Sequence, residues 1–265
     1  YRSISGVLYD RDVTTVIRCP QKTNTIKIPN SVTSIGDEAF SDCEALEKVK
    51  MSNAITSIGT FAFARCAALN EIIIPSGMRH IARAAFVDCS LVEITIPRSV
   101  NFIGEIAFEG CEKLEKITVS PQNEYYASIQ GVLYDKSVTS LIRCPQKTKQ
   151  VSIPYGVTDI DRHAFSGCTA LSKISIPSSV KTIGSWAFKG CEALSEITIP
   201  DSVKEIGRDS FMRCKNLKSI NVSPDNEYYR SISGVLYDKD VATVIRCPQK
   251  TKQVNIPNNI TKLED

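Results

Sequence analysis

The chain has few of the residues on which enzymes and metalloproteins depend. Its 265 residues include two histidines and one tryptophan. It has no C-x-x-C pair, no H-E-x-x-H segment, no glycine-rich phosphate loop and no D-x-D-x-D-G loop. The usual signatures of zinc, nucleotide and calcium sites are therefore missing. The sequence predicts no catalytic, cofactor-binding or metal-binding residue, and we expect the chain not to be an enzyme.

An excess of one charge and long apolar runs are also missing. The 32 basic and 29 acidic residues leave a net charge of +3, which is too weak a field to indicate a nucleic-acid partner. No stretch of 18 apolar residues occurs, so no membrane insertion is predicted for this chain. Catalysis by His80 or His163 would need a partner fixed nearby, and the cysteines are expected in the core. Paired carboxylates such as Glu44 and Glu47 are expected on solvated corners.

What the chain does have is a repeat of about 23 residues. Seven cysteines mark it, with steps of 23 residues and one step of 22: Cys43, Cys66, Cys89 and Cys111, then Cys168, Cys191 and Cys214. A fixed period in the twenties is typical of a solenoid, in which each coil buries its apolar side by stacking on its neighbours.

Within one coil the apolar pattern is C-x-x-L-x-x-I-x-I-P-x-S-V-x-x-I-G-x-x-A-F. The alternation of Ile72 and Ile74 before Pro75 predicts a short strand with one buried side. A coil of 23 residues is too short for a strand and a helix of several turns. We therefore expect two extended segments per coil, tight corners, and one turn of helix at A-F-x-x-C.

A glycine follows the second isoleucine in most coils, where it fits a corner with a positive φ angle. These glycines are Gly36, Gly59, Gly104, Gly184 and Gly207. Two coils carry Ala82 and Asp161 instead, which weakens this explanation.

Stacking turns each row of the repeat into a column. One column should hold Phe40, Phe63, Phe86, Phe108, Phe165, Phe188 and Phe211. The seven marker cysteines should form another, as buried thiols that bond weakly to the backbone. Cys19, Cys144 and Cys247 each precede a proline and are expected to replace a core aliphatic side chain. Disulfides or a metal site are the weaker alternatives for the ten cysteines.

The pattern LxxIxIPxSVxxIGxxAFxxC resembles the BspA-like leucine-rich repeat family, also called the Treponema pallidum type. The resemblance implies a right-handed, curved β-solenoid, with a parallel sheet on its concave side. It also implies surface proteins of bacteria or protists that act in adhesion. We expect one solenoid over residues 1–265.

A longer repeat interrupts the first one. Irregular segments are predicted at residues 1–29, 123–154 and 226–257, where the residues from Gly234 to Pro248 indicate a hairpin around Asp-Lys-Asp. Tyr1–Asp10 is identical to Tyr229–Asp238, so we expect the chain to be a fragment of a longer array. Val254 and Ile256 would then cap the previous coil only partly.

Tyrosine pairs mark two of these segments, Tyr125 with Tyr126 and Tyr228 with Tyr229. With Tyr134 and Tyr237 they form either a contact patch or a cover over the core where the regular coil is broken. We favour the second explanation.

The candidate binding residues are the outward positions of the I-x-I strands. They are Lys48, Lys50, Glu71, Ile73, Glu93, Thr95, Lys116, Thr118, Lys173, Ser175, Glu196 and Thr198, followed by Ser219 and Asn221. A parallel sheet of this kind offers a broad surface to a protein or a glycan.

The resulting hypothesis is a monomeric, non-enzymatic protein-interaction module of a cell-surface or secreted protein. The resemblance implies that it adheres to host matrix proteins or to cells through the concave face. The alternative is a rigid stalk that presents another domain and has no ligand of its own.

Overall fold

The computed structural model describes residues 1–251, 257 and 260–263. The chain forms two compact units, residues 1–136 and residues 137–265. All regular secondary structure in the described part is β-strand. Among those residues no helix has the length and apolarity that crossing a bilayer requires.

The strands are short in both units. The first unit contains β1 (Arg2–Ile4), β2 (Val7–Tyr9), β3 (Thr15–Arg18), β4 (Thr25–Lys27), β5 (Ser34–Ile35), β6 (Lys48–Lys50), β7 (Ser57–Ile58), β8 (His80–Ile81), β9 (Glu93–Ile96), β10 (Phe102–Ile103), β11 (Lys116–Val119), β12 (Tyr126–Ile129) and β13 (Val132–Asp135). The second unit contains β14 (Ser140–Arg143), β15 (Gln150–Ser152), β16 (Asp159–Ile160), β17 (Lys173–Ser175), β18 (Thr182–Ile183), β19 (Glu196–Ile199), β20 (Glu205–Ile206), β21 (Ser219–Val222), β22 (Tyr229–Ile232), β23 (Val235–Asp238), β24 (Thr243–Arg246) and β25 (Lys262–Leu263).

Each ordinary coil has two extended segments, as predicted. In the first unit, β3, β5, β7, β8 and β10 form one parallel ladder, in which Ile35 pairs with Ile58 and Ile58 with Ile81. The I-x-I strands form a second ladder in pairs, β4 with β6 and β9 with β11. In the second unit the corresponding pairs are β15 with β17 and β19 with β21. The predicted β-solenoid with coils of about 23 residues is confirmed within each unit.

The A-F-x-x-C stretch is a run of turns, and the expected turn of helix is wrong. Some N–H groups bond within the coil, as Ser41 N does to Glu38 O, whereas Phe40 N donates to Ala62 O of the next coil at 2.7 Å. This alternation requires positive φ angles at Glu38 (54°) and Asp42 (61°). A right-handed helix cannot contain such residues.

The same two positions have positive φ in the other coils. One row holds Glu38, Phe61, Ala84, Ile106, His163, Trp186 and Asp209, and the other holds Asp42, Arg65, Asp88, Gly110, Gly167, Gly190 and Arg213. Side chains in this conformation cost about 1 to 2 kcal/mol each. The hydrogen bonds between stacked coils offset that cost.

The glycines after the second isoleucine were predicted to allow a positive φ angle, and this explanation is wrong. None of the five has a positive φ: Gly36, Gly59, Gly104, Gly184 and Gly207. They are glycines because the neighbouring coil is too close. A Cβ on Gly104 would lie 2.3 Å from Arg83 N, and one on Gly207 would lie 2.4 Å from Ser185 N. A Cβ at either of these two positions would require the backbone to shift, whereas the coils with Ala82 and Asp161 accommodate one.

The predicted phenylalanine column is confirmed in each unit. The rings of Phe40 and Phe63 lie 4.8 Å apart at 6° between planes, and those of Phe165 and Phe188 lie 4.9 Å apart at 6°. All seven rings are at most 2% exposed. Stacked rings at this spacing add to the hydrophobic gain of burial.

The cysteine column is also confirmed as buried, free thiols. Most of them donate to the carbonyl of the column phenylalanine in the preceding coils, as Cys89 Sγ does to Phe63 O at 3.0 Å and Cys191 Sγ to Phe165 O at 3.2 Å. Cys19 and Cys144 are buried as predicted, but Cys247 is exposed. The Cys43 thiol contacts the backbone carbonyl of Cys19, and the Cys168 thiol contacts that of Cys144. No thiol of the described residues makes the same contact with Cys247.

The irregular segments contain the predicted hairpin and one strand more. In residues 1–29, β1, β2 and β3 form an antiparallel meander, and β22, β23 and β24 do so in residues 226–257. Ser233 (φ 50°) and Gly234 (φ 81°) form the tight turn between β22 and β23, a geometry typical of a type I′ hairpin. The expected capping by Val254 and Ile256 lies outside the described residues.

Candidate binding surface

In each unit, the outward side chains of the I-x-I segments form a surface that we call the ladder face of that unit. All twelve residues predicted for it are exposed except Thr118, which is half-buried: Lys48, Lys50, Glu71, Ile73, Glu93, Thr95, Lys116, Thr118, Lys173, Ser175, Glu196 and Thr198. The alternation of strand side chains places the intervening aliphatic residues in the core. The sequence therefore identified the outward positions correctly, and their role in binding stays a prediction.

Four residues of the same face were missed. Thr25 and Lys27 on β4 are exposed and pair with Lys48 and Lys50 of β6. Gln150 and Ser152 on β15 are exposed in the same way and pair with β17. The signal was present, because T-I-K-I-P and Q-V-S-I-P carry the same alternation and the same final proline as the regular coils.

In the first unit the ladder face begins with a basic cluster. Lys27 and Lys50 are direct neighbours on adjacent parallel strands, and Lys48 lies on the same side of β6. Adjacent strands are about 4.8 Å apart, so these like charges repel each other. In the part of the chain that the structure describes, none of the three forms an ion pair. The cluster is thus not ion-paired within that part, and its nearest acidic position on the face is Glu71, 23 residues after Lys48 in the repeat.

The middle of this face carries the acidic Glu71 and the apolar Ile73, and its far end has mixed charge. Ile73 is 74% exposed although its neighbours Ile72 and Ile74 are buried. Further along, Glu93 and Lys116 are direct neighbours of opposite sign. Along the face, a partner would therefore meet positive charge, then one acidic and one aliphatic side chain, and then a pair of opposite charges. The two ends of the face thus differ.

An irregular segment limits the ladder face at β11. Ile117 N donates to Gly131 O at 2.9 Å, and Val119 N donates to the Ser128 hydroxyl at 3.0 Å. The turn between β12 and β13 thus takes the place that the next I-x-I strand would have, and Thr118 is half-buried. In the second unit Ile220 N donates to Gly234 O at 2.8 Å, which limits β21 in the same way.

Two asparagines that sequence reasoning missed anchor these segments. Asn123, which is fully buried, donates from Nδ2 to Pro97 O and Val100 O and accepts at Oδ1 from the N–H groups of Tyr125 and Tyr126. Asn226 makes the corresponding bonds in the second unit. The only sequence signal was the repeated N-E-Y-Y, because the bonding partners lie in the preceding coil.

The tyrosine pairs divide between the two roles considered. The Tyr126 hydroxyl accepts a hydrogen bond from Ile103 N at 2.9 Å, and the Tyr229 hydroxyl accepts one from Ile206 N at 2.9 Å. Burial raises the pKa of the Tyr126 phenol, which keeps it neutral. Tyr134 and Tyr237 are fully buried. These tyrosines support the core, as favoured.

The first member of each pair faces solvent instead. Tyr125 is 51% exposed and Tyr228 is 41% exposed. For these two the contact-patch explanation stays open.

Ionisable groups with shifted pKa values lie away from the ladder face. The Arg65 guanidinium, 2.5 Å from Asp42, lowers the pKa of that carboxyl to about 2. Burial raises the pKa of Asp88, with a smaller contribution from Glu109. Among the described residues no cluster of three or more histidine, cysteine or acidic side chains could hold a metal ion.

The comparisons with known proteins agree with this architecture. A family profile, "BspA type Leucine rich repeat region", matches residues 18–130 and 142–265 with six copies. A leucine-rich repeat protein from Eubacterium ventriosum is 28% identical, with a TM-score of 0.71, and the match covers 94% of this chain and 71% of that one. No protein of curated function matches the chain.

Two further solved structures share the fold at lower identity. A leucine rich cell surface protein from Faecalibacterium prausnitzii is 21% identical, with a TM-score of 0.62, over 97% of this chain and 92% of that one. The pneumococcal vaccine antigen PcpA is 21% identical, with a TM-score of 0.65, over 94% and 77% of the two chains. Because the repeat profile covers both units, this chain belongs to the BspA-type leucine-rich repeat family.

Proposed function

We propose that the chain is a protein-interaction module of a bacterial surface or secreted protein, and that it adheres to host proteins or cells through the ladder face. Repeats of this family are generally non-catalytic scaffolds, and two similar structures are named as a cell surface protein and a vaccine antigen. The observation that carries the proposal is the ladder face of the first unit, whose basic cluster forms no ion pair with another described residue.

The geometry suits a macromolecular partner. The exposed side chains of β4, β6, β9 and β11 lie on one side of the I-x-I ladder, with Ile73 between the lysines and the Glu93–Lys116 pair. Charged side chains around a central apolar residue give specificity and fast association, and burial of the apolar residue gives affinity. The complementary partner surface is acidic opposite Lys27, Lys48 and Lys50.

Binding of the 265-residue chain to a panel of host extracellular-matrix proteins and glycans tests this proposal. The test variant combines Lys48→Glu, Glu71→Lys, Glu93→Lys and Lys116→Glu, which leaves the net charge unchanged. The matched control, Arg11→Glu, Asp12→Lys, Glu112→Lys and Lys113→Glu, reverses four exposed charges that lie off the ladder face. We expect saturable binding by the native chain and the control, and its loss in the test variant.

The apolar centre of the face gives an independent check. Ile73→Ser should weaken the same binding without lowering stability, because the native side chain is already 74% exposed. Binding should also weaken as salt rises, since exposed charges are screened. If the charge-reversed variant binds as well as the native chain, the ladder face is not the site. If the folded chain binds nothing, the stalk alternative is favoured.

A further inference from the structure

A cleft of about 450 Å³ lies beside Tyr125, away from the outward residues of β9 and β11. Its walls include Arg79 and Arg98 from two successive coils, Ser99 and Asn101 from the corner after β9, and Glu124 and Tyr125 from the irregular segment. This volume lies within the range of small-ligand sites. We propose that this Tyr125 cleft binds an acidic saccharide unit, meaning a sugar ring that carries a carboxylate or a sulfate.

The cleft is held in shape by the buried Asn123. Its amide bonds to Pro97 O and Val100 O on one wall, on either side of Arg98 and Ser99, and to Tyr125 N on the other. The two walls are thereby fixed relative to each other before any ligand arrives. Such pre-organisation lowers the entropic cost of binding a small polar ligand.

Several polar side chains of the cleft have no partner among the described residues, whereas Gln122 Oε1 accepts a hydrogen bond from Ser120 Oγ at 2.8 Å. Ser99 Oγ and Asn101 Oδ1 are buried and have no hydrogen-bond partner in the described part of the chain. Arg79 and Arg98 are exposed, and neither forms an ion pair with another described residue. A buried polar group without a partner destabilises the fold. Ser99 and Asn101 would therefore gain hydrogen bonds by turning toward a ligand.

The mixture of groups indicates the class of ligand. Guanidinium groups bind carboxylates and sulfates with paired hydrogen bonds. The half-exposed ring of Tyr125 offers an apolar surface for the C–H face of a sugar ring. Ser99, Asn101 and Glu124 suit sugar hydroxyls, which both donate and accept hydrogen bonds. A uniformly acidic peptide would instead be repelled by Glu124.

The chain carries an equivalent corner in the second unit that lacks these properties. Asp201 stands in the place of Arg98, and Lys204 in the place of Asn101. The Lys204 ammonium lies 6.0 Å from the centre of the Tyr228 ring and covers its face, while Ser202 Oγ donates to Val180 O at 2.7 Å. The same backbone therefore supports a corner that binds its own side chains, which provides an internal negative control.

The experiment measures binding of single sugars to the 265-residue chain by saturation-transfer NMR and calorimetry. The probes are glucuronic acid, N-acetylneuraminic acid and galactose 6-sulfate, with glucose and galactose as neutral counterparts and a tetraglutamate peptide as the acidic non-sugar. We expect saturable binding of at least one acidic sugar, and the carboxylate and sulfate probes show which acid group is preferred. Equal binding of the neutral sugars or of the peptide, or no binding of any acidic sugar, would overturn the proposal.

The test variant carries Arg79→Lys, Arg98→Asp and Asn101→Lys. Each new residue is the one found at the equivalent position of the second unit, Lys181, Asp201 and Lys204, so the coil geometry tolerates it. We expect binding to weaken about tenfold or more, because the charge-assisted hydrogen bonds are lost. Unchanged binding in this variant would also overturn the proposal.

The Tyr125 cleft does not depend on the ladder face. The variant with reversed charges at Lys48, Glu71, Glu93 and Lys116 should bind the acidic sugar as the native chain does. The cleft variant should in turn keep the binding of a matrix protein. The failure of one proposal can thus be distinguished from the failure of the other.

Discussion

Replacing Asn226 with alanine should destabilise the second unit strongly. The native side chain is 1% exposed and donates to Pro200 O (2.8 Å) and Val203 O (3.0 Å). It also accepts from the N–H groups of Tyr228 and Tyr229, at 2.8 Å each. Alanine removes these four bonds and a longer fifth bond of 3.3 Å.

The magnitude follows from the four shorter bonds. A net contribution of about 1 kcal/mol for each bond, and more where a buried group is left without any partner, gives a loss of about 3 to 5 kcal/mol. This is a large part of the roughly 5 to 15 kcal/mol that stabilises a typical domain. The matched control is Asn216→Ala, which removes one exposed hydrogen bond to Glu192 O. It should cost less than about 1 kcal/mol.

Trp186, the one tryptophan of the chain, lies in the second unit and stacks on His163 at 5.2 Å. Urea unfolding followed by its fluorescence therefore measures this unit. Amide hydrogen exchange gives a local readout, since Asn226 positions Tyr229, whose hydroxyl accepts from Ile206 N. The Ile206 amide should exchange faster in the Asn226→Ala variant. A loss no larger than that of Asn216→Ala would refute the view that this asparagine anchors the irregular segment.

Three further predictions concern the coils. Gly104→Ala should cost about 1 to 3 kcal/mol, because its Cβ would lie 2.3 Å from a backbone nitrogen. Gly190→Ala should cost about 1 kcal/mol, because this position has a φ of 73° but no non-neighbouring atom closer than 3.8 Å. If urea unfolding shows a larger loss for Gly190→Ala than for Gly104→Ala, the close-contact explanation is wrong. The Asp42 pKa falls from 3.8 to about 2 beside Arg65. The ionised Asp42 carboxylate therefore stabilises the fold above pH 4, and this contribution is lost as the pH falls through 2. In the Asp42→Asn variant, the melting temperature should fall less steeply between pH 4 and pH 2. If the slope is the same as in the native chain, the Asp42–Arg65 pair does not cause the fall. A thiol reagent should modify Cys247 rapidly in the native chain and the nine buried cysteines only after denaturation, and rapid modification of a second thiol would show that the column opens.

The repeat was predictable from the sequence because the spacing of apolar residues shows which side chains face inward. The period, the phenylalanine and cysteine columns and the outward positions of the I-x-I strands follow from the alternation of apolar residues alone. The hairpin in the irregular segments was predictable in the same way. Its additional strand carried the signal Ser-Gly before Val-Leu-Tyr, which is typical of a tight turn.

The tertiary structure decided the features that depend on the distance between stacked coils. At Gly104 and Gly207, the glycine is favoured by close contact with the previous coil, and not by its own φ angle. The bonds of Asn123 and the hydroxyl contact of Tyr126 join residues 23 to 26 positions apart in sequence, except for the two local N–H bonds. The Tyr125 cleft likewise combines residues of three successive turns of the chain. A periodic pattern records burial, but it does not record how closely two backbones approach or which polar groups then meet. The cleft proposed above could therefore be found only from the packed coils.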